Sequence, residues 1–204
     1  MIRNIILDFG GVLFNIDYHK TTDAFVALGF TDFNEMFTQH NADELFQSLE
    51  TGSISTPDFY KRLQMILEFP VEEYELESAW NAMLLGYRKE SLDFLKSLSE
   101  KYNLYLLSNT NEIHYNRFSK MLPEQTPYQS LESFFTKAWF SHRIHLRKPD
   151  RQTFEFVLND GGLKPEETLF IDDSYSNLGT PEALGIHTHL LLPEERIETL
   201  KGIF

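Results

Sequence analysis

The stretch that most limits what this chain can fold into is NIILDFGG, Asn4–Gly11, an apolar run that stops at one acid and two glycines. A short run rich in Ile and Leu suits a strand buried on both faces, as in a parallel sheet. An acid at its end cannot share that buried environment unpaired. In open α/β sheets the ligand crevice lies beyond the carboxyl ends of the strands, so Asp8 stands where chemistry is expected. Gly10 and Gly11 allow a sharp turn and close backbone approach to a ligand. The alternative for this stretch alone is a strand followed by an Asx-capped turn.

Three further polar clusters occur at comparable places. Ser108-Asn109-Thr110 ends the apolar run LYLLS, Leu104–Ser108, and Asp172-Asp173 ends TLFI. Lys148, within Arg147-Lys148-Pro149, follows KAWFS (Lys137–Ser141) and precedes a helical pattern that begins at Pro149 and Asp150. Helical patterns separate these runs: one capped by Ser91 through Leu98, one within 111–135, one closed by Gly161-Gly162, and Asn177–Leu184. A last strand is expected at Ile186–Leu191. Strands alternating with helices imply an α/β fold, a doubly wound parallel sheet with helices on both faces.

The region from about 15 to 86 reads differently, with helical spacings and no convincing strand. Ala24, Phe25 and Leu28 share one face. Ala42, Leu45, Phe46 and Leu49 share another, with Gly52 to close that helix. Tyr60, Leu63, Ile66 and Leu67 follow an N-cap at Ser55 or Thr56, with Pro57 in the first turn. A fourth helix is expected through Val71–Leu85. The predicted organisation is a core of 1–14 plus 87–204, interrupted by a helical cap of 15–86.

Composition narrows the function. A chain of 204 residues suits one domain with a sizeable insertion. Its net charge of −13 argues against nucleic-acid or anionic-membrane partners, which want a basic face. With no cysteine there is no disulfide, thiolate metal site or cysteine nucleophile. No apolar stretch approaches the roughly 20 residues of a membrane span. The first apolar run is too short for a signal peptide, so a cytoplasmic location is expected. Nothing in the sequence assigns an oligomeric state.

If all carboxyl strand ends face one crevice, three carboxylates converge there: Asp8, Asp172 and Asp173. A hard cation relieves their repulsion, and all-oxygen ligation suits Mg²⁺, with the Gly10 carbonyl as a further donor. Ser108 and Lys148 can hold phosphate oxygens. Asp8 is then free to attack phosphorus, and a carboxylate nucleophile is established chemistry for such transfer.

Together DFGGVL (Asp8–Leu13), SNT (Ser108–Thr110), RKP (Arg147–Pro149) and DDSYSN (Asp172–Asn177) resemble the motifs of the haloacid dehalogenase (HAD) superfamily of hydrolases, in order. The likeness covers the whole chain and is strongest to a bacterial sugar-phosphatase subgroup that includes the α-D-glucose-1-phosphatase. It implies a Rossmann-like core with an inserted all-helical cap. It further implies Asp8 as nucleophile, with Ser108, Asn109 and Lys148 at the phosphoryl group. Asp8, Gly10, Asp172 and Asp173 would hold Mg²⁺, with Asp173 the direct ligand and Asp172 behind it. The implied reaction is hydrolysis of a small phosphorylated metabolite, a sugar phosphate, through an aspartyl-phosphate. The rivals are a carbon–halogen hydrolase and a binding protein that has lost turnover.

One departure stands out. Phosphatases of the superfamily usually carry a second aspartate two positions after the nucleophile, and here that position is Gly10. Loss of such acid–base help costs about 10²–10⁴-fold. Asp17 could reach back to replace it at the substrate, or it could simply cap the helix that starts at Tyr18. Tyr18 and His19 are further substrate-contact candidates. His114 is expected on a helix surface. His187 and His189 alternate on the last strand with no third metal ligand in view.

Overall fold

The computed structural model describes residues 1–31, 33, 44–66, 70–200 and 202. The apolar runs form a five-stranded, wholly parallel sheet. Its strands are β1 (Asn4–Leu7), β4 (Asn103–Ser108), β5 (Lys137–Phe140), β6 (Thr168–Asp172) and β7 (His187–Leu190), in the order β5-β4-β1-β6-β7. The period of two then divides each strand between two cores. Ile5, Leu7, Leu104, Leu106, Leu169 and Ile171 face one side, against Leu92, Leu95 and Leu98 of α5 (Lys89–Ser99) and Phe118 and Leu122 of α6 (Glu112–Gln125). Ile6, Tyr105, Leu107 and Phe170 face the other, against Phe154 and Val157 of α8 (Arg151–Gly161). Burying each such side chain contributes about 1.5–3 kcal/mol. Neither face is left to solvent, and the doubly wound sheet is the expected one.

Between residues 15 and 86 the expected absence of strands is overturned. Phe14–Ile16 (β2) and Leu84–Tyr87 (β3) pair antiparallel, with a register shift between Asn15 and Ile16. This two-stranded ribbon stands where the chain leaves and re-enters the sheet, so the inserted block is not all-helical. The fourth helix accordingly stops at Asn81, and Leu84-Leu85 turns out as strand. Strands of three and four residues are too short to display a period of two. Ser91 is also not the expected cap: α5 begins at Lys89, and the Ser91 hydroxyl donates to Glu198 Oε2 at 2.8 Å. The pattern at 177–184 resolves into a 3₁₀ turn, Tyr175–Asn177, and a short helix, α9 (Gly179–Ala183).

Among the described residues the inserted block carries α1 (Tyr18–Ala27), α2 (Glu44–Glu50), α3 (Thr56–Ile66) and α4 (Glu73–Asn81). Ser55 caps α3, its hydroxyl accepting from Asp58 N at 3.2 Å. Ala42 and Leu67, counted in the helical spacings, lie outside the described residues. These helices have their own core, centred on Phe25, Phe46, Phe59 and Trp80, in which Phe25 stacks on Phe33 and Phe46 on Trp80. The turn after α2 docks on the sheet-bearing part. Gly52 has φ +64°, and a Cβ there would fall 2.3 Å from the His142 carbonyl oxygen. Only glycine fits that approach. Beside it, His145 Nδ1 lies 2.8 Å from the Thr51 carbonyl.

Candidate active site

The register of the sheet places the polar strand ends together. Leu7 of β1 is opposite Ile171 of β6, and the Asp8 amide extends the ladder by donating to the Ile171 carbonyl at 2.9 Å. Asp8 and Asp172 are thus neighbours at the same edge of the sheet. The Lys148 ammonium lies between them, 2.7 Å from Asp8 Oδ1 and 2.6 Å from Asp172 Oδ2. Lys148 and Asp172 are fully buried, and the Asp8 side chain keeps only 12% of its exposure, on the cavity side. Burial alone would lower the lysine pKa, but Asp172 and Asp8 outweigh it, so Lys148 stays charged.

Asp172 is saturated: its Oδ1 also accepts from Ser174 N at 2.8 Å and Asn177 Nδ2 at 3.1 Å. Asp173 instead faces the cavity. Its carboxylate rests against Gly11, where φ is +71° and a Cβ would come within 1.9 Å of Oδ2. Gly11 is therefore favoured twice, by its positive φ and by the Asp173 carboxylate that fills the space a Cβ would need. Asp8, Asp172 and Asp173 each offer an oxygen within 4.8 Å of the other two. Burial, and then the neighbouring carboxylates, push Asp8 up to about 7; burial and Asp172 push Asp173 up to about 6, with Lys148 opposing both. Three carboxylates against one lysine leave a negative excess in a buried place. Gly10 lines the same cavity, and among the described residues its carbonyl accepts no hydrogen bond. This all-oxygen donor set fits a hard divalent cation such as Mg²⁺.

The second polar loop is braced rather than mobile. Asn109 grips the backbone of Lys148 from both sides, donating to its carbonyl and accepting from its amide, each at 2.9 Å. Ser141, which follows β5 and opens the short helix α7 (Ser141–Ile144), accepts from Thr110 N and donates to the Thr110 carbonyl, each at 2.8 Å. Ser108 is buried and lines the cavity. Asn109 thus acts through the main chain that carries Lys148, while its own side chain is already engaged.

A cavity of about 240 Å³ opens above these groups, walled on the far side by the inserted block through Tyr18, Glu50, Trp80 and Met83. Asp17 is not among its lining residues. Its carboxylate caps α1 by accepting from His19 N at 3.0 Å, the plainer of its two readings. His19 is exposed and does not line the cavity, whereas Tyr18 does. Where the second aspartate is missing, a Cβ on Gly10 would meet Ile16 Cδ1 at 3.0 Å, so Ile16 stands over that position. His114 corrects its expectation. It is buried, stacks on Trp80 with ring centroids 5.0 Å apart, and has Nδ1 3.0 Å from Asn81 Oδ1. Burial pushes it down to about 3, so it is neutral at ordinary pH. His187 and His189 join no metal-ligand cluster among the described residues.

Sequence reasoning missed two cavity residues as a pair. Arg147 Nε and Glu50 Oε2 are 3.0 Å apart, joining the lysine loop to the last residue of α2. Ninety-seven residues separate them, and no local pattern signals such a contact.

An open parallel sheet with clustered acids at its carboxyl edge, a lysine between them and an inserted lid-side block defines a hydrolase class, and the chain belongs to the haloacid dehalogenase-like hydrolase family, whose model matches residues 2–185. It is 33% identical over 189 residues to a D-ribitol-5-phosphate phosphatase of Bacteroides thetaiotaomicron, covering 92% of this chain and 91% of that one. A HAD family enzyme from Bacteroides thetaiotaomicron, solved in complex with magnesium and inorganic phosphate, superposes with a TM-score of 0.86 at 34% identity over 96% of both chains. A predicted HAD-like family hydrolase of Porphyromonas gingivalis gives a TM-score of 0.86 at 36% identity, covering 96% of this chain and 93% of that one. Among the described residues, no helix is long and apolar enough to cross a membrane.

Proposed function

We propose that this chain is a Mg²⁺-dependent phosphatase of small sugar or polyol phosphates that works through an aspartyl-phosphate on Asp8. The observation that carries this reading is the Asp8 carboxylate itself, exposed only to the cavity and held by Lys148 beside two more carboxylates. The similarity to a D-ribitol-5-phosphate phosphatase supports the substrate class. Asp8, the Gly10 carbonyl and Asp173 would hold the cation, with Asp172 orienting Lys148 behind them. When bound, the cation supplies positive charge to the non-bridging phosphoryl oxygens and to the carboxylate cluster.

An Asp8 oxygen attacks phosphorus, forming the O–P bond as the bond to the leaving oxygen breaks. Lys148 and the Ser108 hydroxyl bind the non-bridging oxygens, whose charge they neutralise. Water then attacks the aspartyl-phosphate, releasing inorganic phosphate and restoring Asp8. With Asp17 committed to its helix and Ile16 over Gly10, the leaving oxygen takes its proton from solvent or from a substrate hydroxyl. The rate then depends steeply on the leaving-group pKa. The block between β2 and β3 serves as the cap that excludes bulk water. We place the core at residues 1–14 plus 87–204 and the cap at 15–86, with the ribbon as their joint.

The test is phosphate release from ribitol 5-phosphate. The reading expects turnover with Mg²⁺, loss in EDTA, and a Mg²⁺-induced rise in Tm that Asp173→Asn abolishes. Turnover insensitive to EDTA, or chloride release from 2-chloropropionate instead, contradicts it. Ligand-induced stabilisation without any product would instead mark a binding protein.

A further inference from the structure

We propose that Glu50 and Arg147 form a hydroxyl-reading pair that selects a polyol leaving group; the inference rests on the phosphatase reading above. Both line the cavity, and both keep about a fifth of their side-chain exposure, 21% for Glu50 and 23% for Arg147. Their ion pair uses Nε and Oε2. Among the described residues, Glu50 Oε1 and both terminal nitrogens of Arg147 make no hydrogen bond. An accepting oxygen and donating nitrogens held side by side complement two neighbouring hydroxyls, each of which donates to one and accepts from the other.

Local helix physics does not explain Glu50. It is the last residue of α2, where the exposed carbonyls and the helix dipole favour a cation over a carboxylate. Burial raises its pKa as well, with Arg147 opposing. A carboxylate placed against local preference on a cavity wall marks a functional site rather than a stabilising one.

The pair is also held in fixed relation to the chemistry. Arg147 immediately precedes Lys148, and its carbonyl accepts from Thr153 Oγ1 at 2.6 Å and Asp150 N at 3.0 Å. Tyr18 lines the same cavity, and burial, then the Glu50, Asp173 and Asp8 carboxylates, hold its phenol above its ordinary pKa. Because Asp8, Lys148, Glu50 and Arg147 wall one cavity, a ligand with its phosphoryl group at Asp8 and Lys148 has Glu50 and Arg147 among the groups around the rest of its chain. A carbon chain bearing neighbouring hydroxyls satisfies the pair, whereas a bare alkyl chain desolvates it with no return.

The experiment compares kcat/KM for ribitol 5-phosphate and n-pentyl phosphate, which share a carbon count, and for 4-nitrophenyl phosphate, all with Mg²⁺. The wild-type protein should favour ribitol over pentyl phosphate by at least about 10²-fold. Glu50→Ala and Arg147→Met should each lower that ratio about 10-fold or more, and Glu50→Gln should restore part of it. If the pair only fastens cap to core, all three substrates lose rate in proportion and the ratio stands; that result overturns the inference. A wild-type preference for pentyl phosphate overturns it too. No wild-type turnover of any of the three removes the phosphatase reading, and this inference with it.

Discussion

The two walls of the cavity are built by opposite means. The sheet side is made by backbone: parallel register alone sets Asp8 beside Asp172, and short loops braced by Asn109 and Ser141 carry Lys148 to them. The cap side is made by side chains. Phe46 stacks on Trp80, Trp80 stacks in turn on His114 of the core, and Asn111, the N-cap of α6, joins the walls by accepting from Trp80 Nε1 at 3.3 Å. A wall set by register can change little without losing the fold, whereas a wall set by side chains can change one residue at a time. The proposed reaction chemistry accordingly lies on the first wall, and the second is the one where a single substitution could alter substrate choice.

Breaking the sheet-side wall gives the largest expected effect. Lys148→Met leaves Asp8 and Asp172 buried without their cation. It should lower turnover at least about 10²-fold and destabilise the Mg²⁺-free protein by about 3–5 kcal/mol, read by urea unfolding in EDTA. Trp80→Ala attacks the other wall and opens a space in the aromatic cluster. A comparable loss of about 3–5 kcal/mol is expected, but the residual folded enzyme should retain phosphate release from 4-nitrophenyl phosphate better than Lys148→Met does. Equal loss of chemistry in both variants would erase the distinction between the walls.

A smaller effect is expected at Ser141→Ala, which leaves the Thr110 amide and carbonyl without their shared partner. It should cost about 1–3 kcal/mol and raise KM for phosphate esters as the loop carrying Ser108 loosens.

The smallest effect concerns pH. A carboxyl whose folded pKa is raised favours the protonated form when folded, so cation-free stability falls as pH rises from its ordinary value to the raised one. For Asp8 that window runs from 3.8 to about 7, and for Asp173 from 3.8 to about 6. Protons and Mg²⁺ compete for these oxygens. The Mg²⁺-induced rise in Tm should accordingly exceed its pH 5 value by about 2–4 °C at pH 8. A shift larger at pH 5 would place the cation elsewhere.

The asymmetry between the walls also governs how much of each is written in the local sequence. Asp8, Ser108, Lys148 and Asp172-Asp173 were legible because each follows a continuous apolar run, and parallel strands deliver their ends to one edge. The β2–β3 ribbon was not, since Leu84 and Leu85 extend a helical spacing and Ile16 stands alone. His114 looked like a surface residue because its burial comes from Trp80 and Asn81, more than thirty positions away. The Glu50–Arg147 pair was hidden for the same reason. Side-chain walls depend on long-range packing, which leaves no periodic trace.

In the proposed reaction Asp8 carries the phosphoryl group during turnover. Acid-quenching the enzyme during steady-state hydrolysis of ribitol 5-phosphate, then mapping peptides by mass spectrometry, would capture that intermediate. Turnover through Asp8 should leave one added phosphoryl group on the peptide holding Asp8, absent in Asp8→Asn. Steady phosphate release with that peptide unmodified, or with the group on another residue, would contradict it.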